Sequence, residues 1–153
     1  MVPITIASPK AIPRPDGGLG LADGGAPRYT GFMIKHVDFV TVPVVDQKRA
    51  LKFYTEKLGF GVFTDQPYDD NQRWIELKIP GAQTKVVLFT GDDQKDMVGR
   101  FFNATFACDD VHRTYAALRE KGVEFDDEPT KQPWGTMVTM KDSEGNQILL
   151  SSK

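Results

Sequence analysis

The 153-residue sequence predicts an α+β fold built from two copies of one βαβββ unit, and three observations carry that expectation. Between residues 33 and 60 the apolar pattern changes from the two-residue alternation of a strand to the three-to-four-residue spacing of a helix. The same change recurs from Asn103, in NATFACDDVHRTYAALREKGVEF. The aspartates placed to cap the two helices, Asp46 and Asp110, lie 64 residues apart, as do Gly81 and Gly145 in the later turns of each half. Repetition at one period within a short chain indicates a duplicated supersecondary unit. A ligand held between the copies would touch equivalent positions of both.

In the first unit Val37, Phe39 and Thr41 alternate with Val40, Val42 and Val44, so both faces of the strand are mostly apolar, as cover on both sides requires. Asp46 caps a helix whose apolar side is Ala50, Leu51, Phe53, Tyr54 and Leu58. Gly59 ends it, where a left-handed residue is cheapest. Strands follow at 60–64, 73–79 and 85–89, with Pro80-Gly81 as a turn. The polar stretch 91–99 reads as a connector. The second unit repeats the order: a strand at 102–107, the Asp110 helix with Val111, Tyr115 and Leu118 inward, a Gly122 stop, and strands at 123–125, 135–140 and 147–150, the last two joined by the turn DSEGN at 142–146.

Composition narrows the function classes. With 40% hydrophobic and 26% charged residues the chain is ordinary globular material. A net charge of -2 and the lack of a basic run argue against a nucleic-acid partner. The acidic pairs, Asp69-Asp70 among them, read as solvated loops and caps that could also draw a cation toward a cleft. One cysteine, Cys108, excludes an internal disulfide and any multi-Cys zinc site; it reads as a small packed side chain, and a cytoplasmic location is expected. No apolar run approaches the ~20 residues that span a bilayer, so no membrane partner is expected. Residues 1–32, rich in Pro and Gly, have the composition of an extension or linker, without the apolar core of a signal peptide. The expected organisation is that extension followed by one domain over 33–153: module one at 33–90, a linker at 91–100 and module two at 101–153.

The runs VDQKRALKFYTEKLGF, DDVHRTYAALREKGVEF, QPWG and KDSEGNQILL together resemble the vicinal oxygen chelate superfamily of glyoxalase I, bleomycin-resistance proteins and extradiol dioxygenases. The resemblance covers residues 33–151. It implies that the two βαβββ modules form a half-open barrel with a concave ligand cavity, and that the protein is a homodimer, as many such proteins are. Metal-dependent members carry ligands at four strand positions. These fall here on Phe39, seven residues before Asp46; on Leu88 in the last strand of module one; on Asn103, seven before Asp110; and on Leu149 near the end of GNQILL. Phe and Leu cannot bind a divalent ion. No metal ligands and no cofactor are therefore expected.

Of the two histidines, His36 falls on the strand face opposite Phe39, unless a bulge intervenes, and His112 in the exposed first turn of the second helix. Glu76 is the polar residue best placed for chemistry. In RWIELKI it shares a face with Trp74 and Lys78, while Ile75, Leu77 and Ile79 take the other. Either it is a solvated Glu beside Lys78, or it is a catalytic acid-base carboxylate next to a stacking wall supplied by Trp74. Trp134 stands either at the cavity mouth or in the core, with Gly135 allowing close backbone approach. Which face of strand 135–140 looks inward is open. With Thr41 and Thr105 at its edge, the cavity suits a flat, partly apolar molecule. The leading expectation is thus a metal-independent protein that binds and sequesters a cationic or aromatic small-molecule ligand. The alternatives are a metal-dependent lyase, isomerase or dioxygenase resembling glyoxalase I, a metal-free enzyme using Glu76 as base, and a structural role.

Overall fold

Asp46 and Asp110 cap the two helices as their positions require. The computed structural model, which describes residues 34–153, places each carboxylate on the backbone N–H three residues on, Asp46 on Arg49 at 2.9 Å and Asp110 on Arg113 at 3.1 Å. The expected extension at 1–32 lies outside the described residues. Module one runs β1 (Phe39–Val42), α1 (Gln47–Lys52), β2 (Gly61–Pro67), β3 (Arg73–Lys78) and β4 (Lys85–Leu88). Between α1 and β2 the helix widens into a π turn, Phe53–Lys57, where the Thr55 hydroxyl donates back to the Leu51 carbonyl at 2.8 Å. Gly59 then takes φ 76°, ending the helix in the left-handed region.

Module two runs β5 (Phe101–Ala107), α2 (Val111–Glu120), β6 (Glu124–Phe125), β7 (Thr130–Gln132), β8 (Gly135–Lys141) and β9 (Gln147–Ser152). The strand expected at 123–125 is present as β6, but the segment after it, which carries no strand pattern, adds β7; both pair with β8, and the acidic run 126–128 bridges them. The expected connector at 91–99 holds a short 3₁₀ helix, Asp92–Met97.

The two sheets have the orders β1-β4-β3-β2 and β5-β9-β8-β6, each with a parallel pair between its first and last strands, and they do not join into a closed barrel. Each sheet turns one face to a core shared by both modules. Val42, Ile75, Leu77, Val86 and Leu88 from the first sheet meet Val138, Met140, Ile148 and Leu150 from the second, with Tyr54, Val111 and Leu118 from the helices. The opposite, outer faces carry no helix, although Val87 at the centre of one is fully buried. This corrects the expectation that β1 is covered on both sides: Val42 is fully buried but Phe39 is 39% exposed. The helices cover one face only, so the apolar residues of the other are left for something else.

A buried polar cluster fastens the modules together. The Tyr54 hydroxyl donates to Asp142 Oδ2 at 2.8 Å, and Asn146 donates to the same oxygen and to the Pro43 carbonyl. Asp142 Oδ1 accepts from the backbone N–H groups of Glu144 and Asn146, closing the turn. Glu144 reaches from that turn to the start of α1, where it accepts from the N–H groups of Val45 and Asp46 and pairs with Arg49 at 2.7 Å. A carboxylate there suits the unsatisfied donors of a helix start. Burial, then the neighbouring Asp142 carboxylate, pushes the Tyr54 phenol well above its ordinary pKa. Hydrogen bonding to Glu144 likewise raises Arg49.

Candidate functional site

The alternation in RWIELKI puts Trp74 and Glu76 on the outer face of β3, where cross-strand pairing joins them to β1, β2 and β4. Glu76 lies opposite Val87, and Thr41 opposite Val87 on the far side. Phe39, two residues from Thr41, shares that face, and its ring meets Trp74 edge-on at 5.6 Å. Tyr68 and Phe89 extend the cluster: Trp74 lies 6.3 Å from Tyr68 and 5.4 Å from Phe89, and those two stand 4.8 Å apart. Edge-to-face and tilted rings at such distances form a wall with apolar faces and hydrogen-rich edges, suited to stacking a flat guest.

Glu76 sits at the base of that wall with both oxygens engaged. Trp74 Nε1 donates to Oε1 at 2.8 Å, and the Lys85 ammonium pairs with Oε2 at 3.2 Å. The hydrogen bond to Glu76, the largest influence, and one to Asp38 raise the Lys85 pKa. The Lys85 ammonium also lies 5.0 Å from the centre of the Phe63 ring. Phe63 sits at the register shift between β2 and β3, where a bulge interrupts the pairing. Glu76 is therefore neither beside Lys78 in open solvent nor a free carboxylate. It is an ion-paired anchor that orients Trp74.

One residue of the expected site faces the wrong way. Leu88 pairs with Val42 and Ile75, both core residues, and is fully buried on the core face. The outer-face residue of β4 is Val87. The slip has a physical source: six residues separate the paired Lys78 and Lys85 of module one, but five separate Lys141 and Gln147 of module two. Positions after the turn are thus offset differently from those before it, and a one-residue shift exchanges the faces of a strand. Leu149 does lie on the outer face, paired with Thr105 and Thr139.

The same pairing decides the open question in β8. Val138 and Met140 enter the core, so Met137 and Thr139 lie outward. Trp134 is 68% exposed, and its Nε1 points to Met137 Sδ at 3.2 Å. Gly135 serves its own sheet, not a ligand: at φ 145° a Cβ there would come 2.5 Å from the Ser152 carbonyl oxygen.

Thr41 and Asn103 share the wall of a small hollow of about 190 Å³, with Met97 and Arg100 beside them. Thr105 borders a different and larger cavity of about 510 Å³ between the modules. The expected residues thus fall into two outer-face groups: Phe39, Thr41, Trp74 and Glu76 on one sheet, Asn103, Thr105, Leu149 and Trp134 on the other. Sequence reasoning missed Tyr68, Phe89, Phe63 and Lys85. Phe89 was accessible from period two, being two residues beyond Val87, but Tyr68 in a loop and Phe63 in a bulge carry no periodic signal.

The metal that the superfamily resemblance implies does not fit these residues. At the four matching strand positions stand Phe39, Val87, Asn103 and Leu149, of which only Asn103 has a donor atom, and a weak one for a transition metal. Among the described residues no three His, Cys, Asp or Glu side chains converge on one point. His36 lies 3.9 Å from Asp38, before β1 begins, and His112 is exposed on α2.

Comparison with known proteins agrees with this architecture. The solved structure of a glyoxalase/bleomycin resistance protein/dioxygenase superfamily member from Sphaerobacter thermophilus superposes with a TM-score of 0.72 at 34% identity, covering 80% of this chain and 100% of that one. TnmS3, an antibiotic binding protein from Streptomyces sp. CB03234, gives a TM-score of 0.69 at 35% identity, covering 80% and 98%. The uncharacterized protein YetH of Bacillus subtilis is 38% identical over 118 residues, covering 77% of this chain and 98% of its own. The family model described as the Glyoxalase/Bleomycin resistance protein/Dioxygenase superfamily matches residues 34–150, and the chain belongs to that superfamily.

Proposed function

We propose that this protein binds a planar, largely apolar small molecule on the outer face of module one without the help of a metal, and that its role is sequestration. The observation that carries this reading is the solvent-accessible ring cluster of Phe39, Tyr68, Trp74 and Phe89, fixed from below by the Trp74–Glu76–Lys85 chain of contacts. A preorganised aromatic wall binds well because its own side chains lose little freedom when the guest arrives. The similarity to TnmS3, described as an antibiotic binding protein, supports a binding role over turnover. Glu76 is a poor base in this setting, since a carboxylate held by two donors gives up lone pairs that a proton transfer would need.

In this reading the protein acts as a homodimer in the cytoplasm. A second copy would lay the outer face of its module two, with Asn103, Thr105, Leu149 and Trp134, over the ring cluster and enclose the guest. The exposed Phe39, Phe63, Tyr68 and Phe101 supply apolar area for such a contact.

Trp fluorescence tests the proposal. With Trp134→Phe, Trp74 becomes the sole tryptophan. Titration with proflavine, a cationic planar compound, and with 9-anthracenemethanol, a neutral one, should quench it saturably. Quenching by neither would end the reading, and light scattering on the same samples reports whether the binding species is a dimer.

A further inference from the structure

The two modules bury different chemistry at corresponding positions. Counting from the helix caps, Tyr54 follows Asp46 by eight residues and Leu118 follows Asp110 by eight. Counting from the sheet, Asp142 follows Lys141 where β8 leaves its pairing, and Ile79 follows Lys78 where β3 leaves its own. The first pair forms the buried Tyr54–Asp142 hydrogen bond, with the Tyr54 ring packed against Phe53 at 5.4 Å and Phe60 at 5.7 Å. The second pair, Leu118 and Ile79, instead lines the cavity of about 510 Å³. Where one copy holds an aromatic ring, the other holds the smaller Leu118 beside a cavity.

We propose that this void is a second ligand site, distinct from the outer-face ring cluster, and that it takes a neutral aromatic molecule filling the place that the Tyr54 ring occupies in the symmetric half. Its volume lies within the range of small-molecule sites. None of its lining residues is charged, so an ionic guest would lose its hydration without a counter-charge. Phe60, Phe106, Leu118 and Leu150 supply apolar and aromatic surface, and Thr114 and Cys108 the polar edge. Core-side residues such as Val86, Leu118, Met140 and Leu150 line the void, with Thr105 and Val37 at its rim, and neither Trp74 nor Glu76 borders it. Occupancy here does not depend on occupancy there.

The test uses N-phenyl-1-naphthylamine, a neutral probe whose fluorescence rises in apolar surroundings, with the full chain. Saturable enhancement at one probe per chain is expected, with affinity unchanged in Trp74→Ala and weakened at least tenfold in Ala104→Phe, which fills the cavity. The double variant Ile79→Asp with Leu118→Tyr, which rebuilds the polar pair of the other module, should lose binding in the same way. A readout on the unaltered core comes from Cys108, the sole thiol, which lines the cavity. Saturation with the probe should slow its labelling by N-ethylmaleimide at least tenfold, and this decides the matter if the filled variants do not fold. Absence of saturable enhancement, loss in Trp74→Ala with retention in the filled variants, or unchanged Cys108 labelling at saturation would each overturn the proposal.

Discussion

Module one and module two share caps, glycine stops and strand order, yet their turns do opposite work. The turn at 142–146 reaches out of its own module, bonds Tyr54 through Asp142 and covers the start of α1 with Glu144. The turn after β3, with Pro80 and Gly81, makes no such reach, although Gly81 and Gly145 both take φ 80°. The difference teaches that backbone symmetry and energetic symmetry are separate matters. One turn is a fastener because it carries Asp, Glu and Asn; the other, carrying Ile, Pro and Ala, is only a connection.

The largest expected effect breaks that contrast directly. Asp142→Ala strands the Tyr54 hydroxyl, the Asn146 amide and two backbone N–H groups in a buried place, and should cost about 3–4 kcal/mol in urea unfolding. Ile79→Ala at the corresponding position of module one removes a half-buried side chain beside an existing void and should cost under about 2 kcal/mol. Equal costs would dissolve the distinction between the turns. Next in size, calorimetric titration of Trp74→Ala with proflavine should show affinity lower by roughly 30-fold, about 2 kcal/mol. Trp134→Ala, on the sparser outer face of module two, should change it less than about threefold.

A pH experiment separates the modules again. Because burial and Asp142 hold the Tyr54 phenol protonated well above its ordinary range, the unfolded chain releases this proton above about pH 10 while the folded chain keeps it. The contribution is complete below that pH and declines as pH rises through the window up to the folded pKa, by roughly 1.4 kcal/mol per pH unit. Tyr54→Phe should remove this alkaline decline from the denaturation midpoints. Leu118, its counterpart, has nothing to titrate, so Leu118→Val should leave the slope in place.

Much of the scaffold was legible because it rests on local rules. Asp46 and Asp110 cap, Gly59, Gly81, Gly122 and Gly145 take positive φ, and the strand faces of RWIELKI divide as period two demands. The site was legible where a single strand carried it, as with Trp74 and Glu76. It failed where two elements had to be counted against each other: one extra residue in the turn after β3 sent Leu88 inward. The partners of Glu76 were hidden for a related reason. Lys85 is nine residues distant in sequence and arrives only through the pairing of β3 with β4. The fastening cluster spans 88 residues between Tyr54 and Asp142, and nothing local marks it.

The smallest effect expected sharpens the contrast between the two outer faces. Glu76→Gln keeps an oxygen for the Trp74 N–H, so the ring wall should hold its geometry, and the solvent-screened ion pair with Lys85 contributes little to stability. What changes is charge. With Glu76 neutralised, Lys85 retains only Asp38, which is largely exposed, and the face of module one becomes more positive. A planar anion such as 2-naphthoate should then bind several-fold tighter, while neutral 9-anthracenemethanol should be unaffected. The module-two face holds no comparable carboxylate at the matching strand position, where Thr139 stands opposite Leu149. Thr139→Val should therefore leave the anion-to-neutral ratio where it was. If Glu76→Gln instead weakened both compounds alike, Glu76 would be acting through the position of Trp74 and not through its charge.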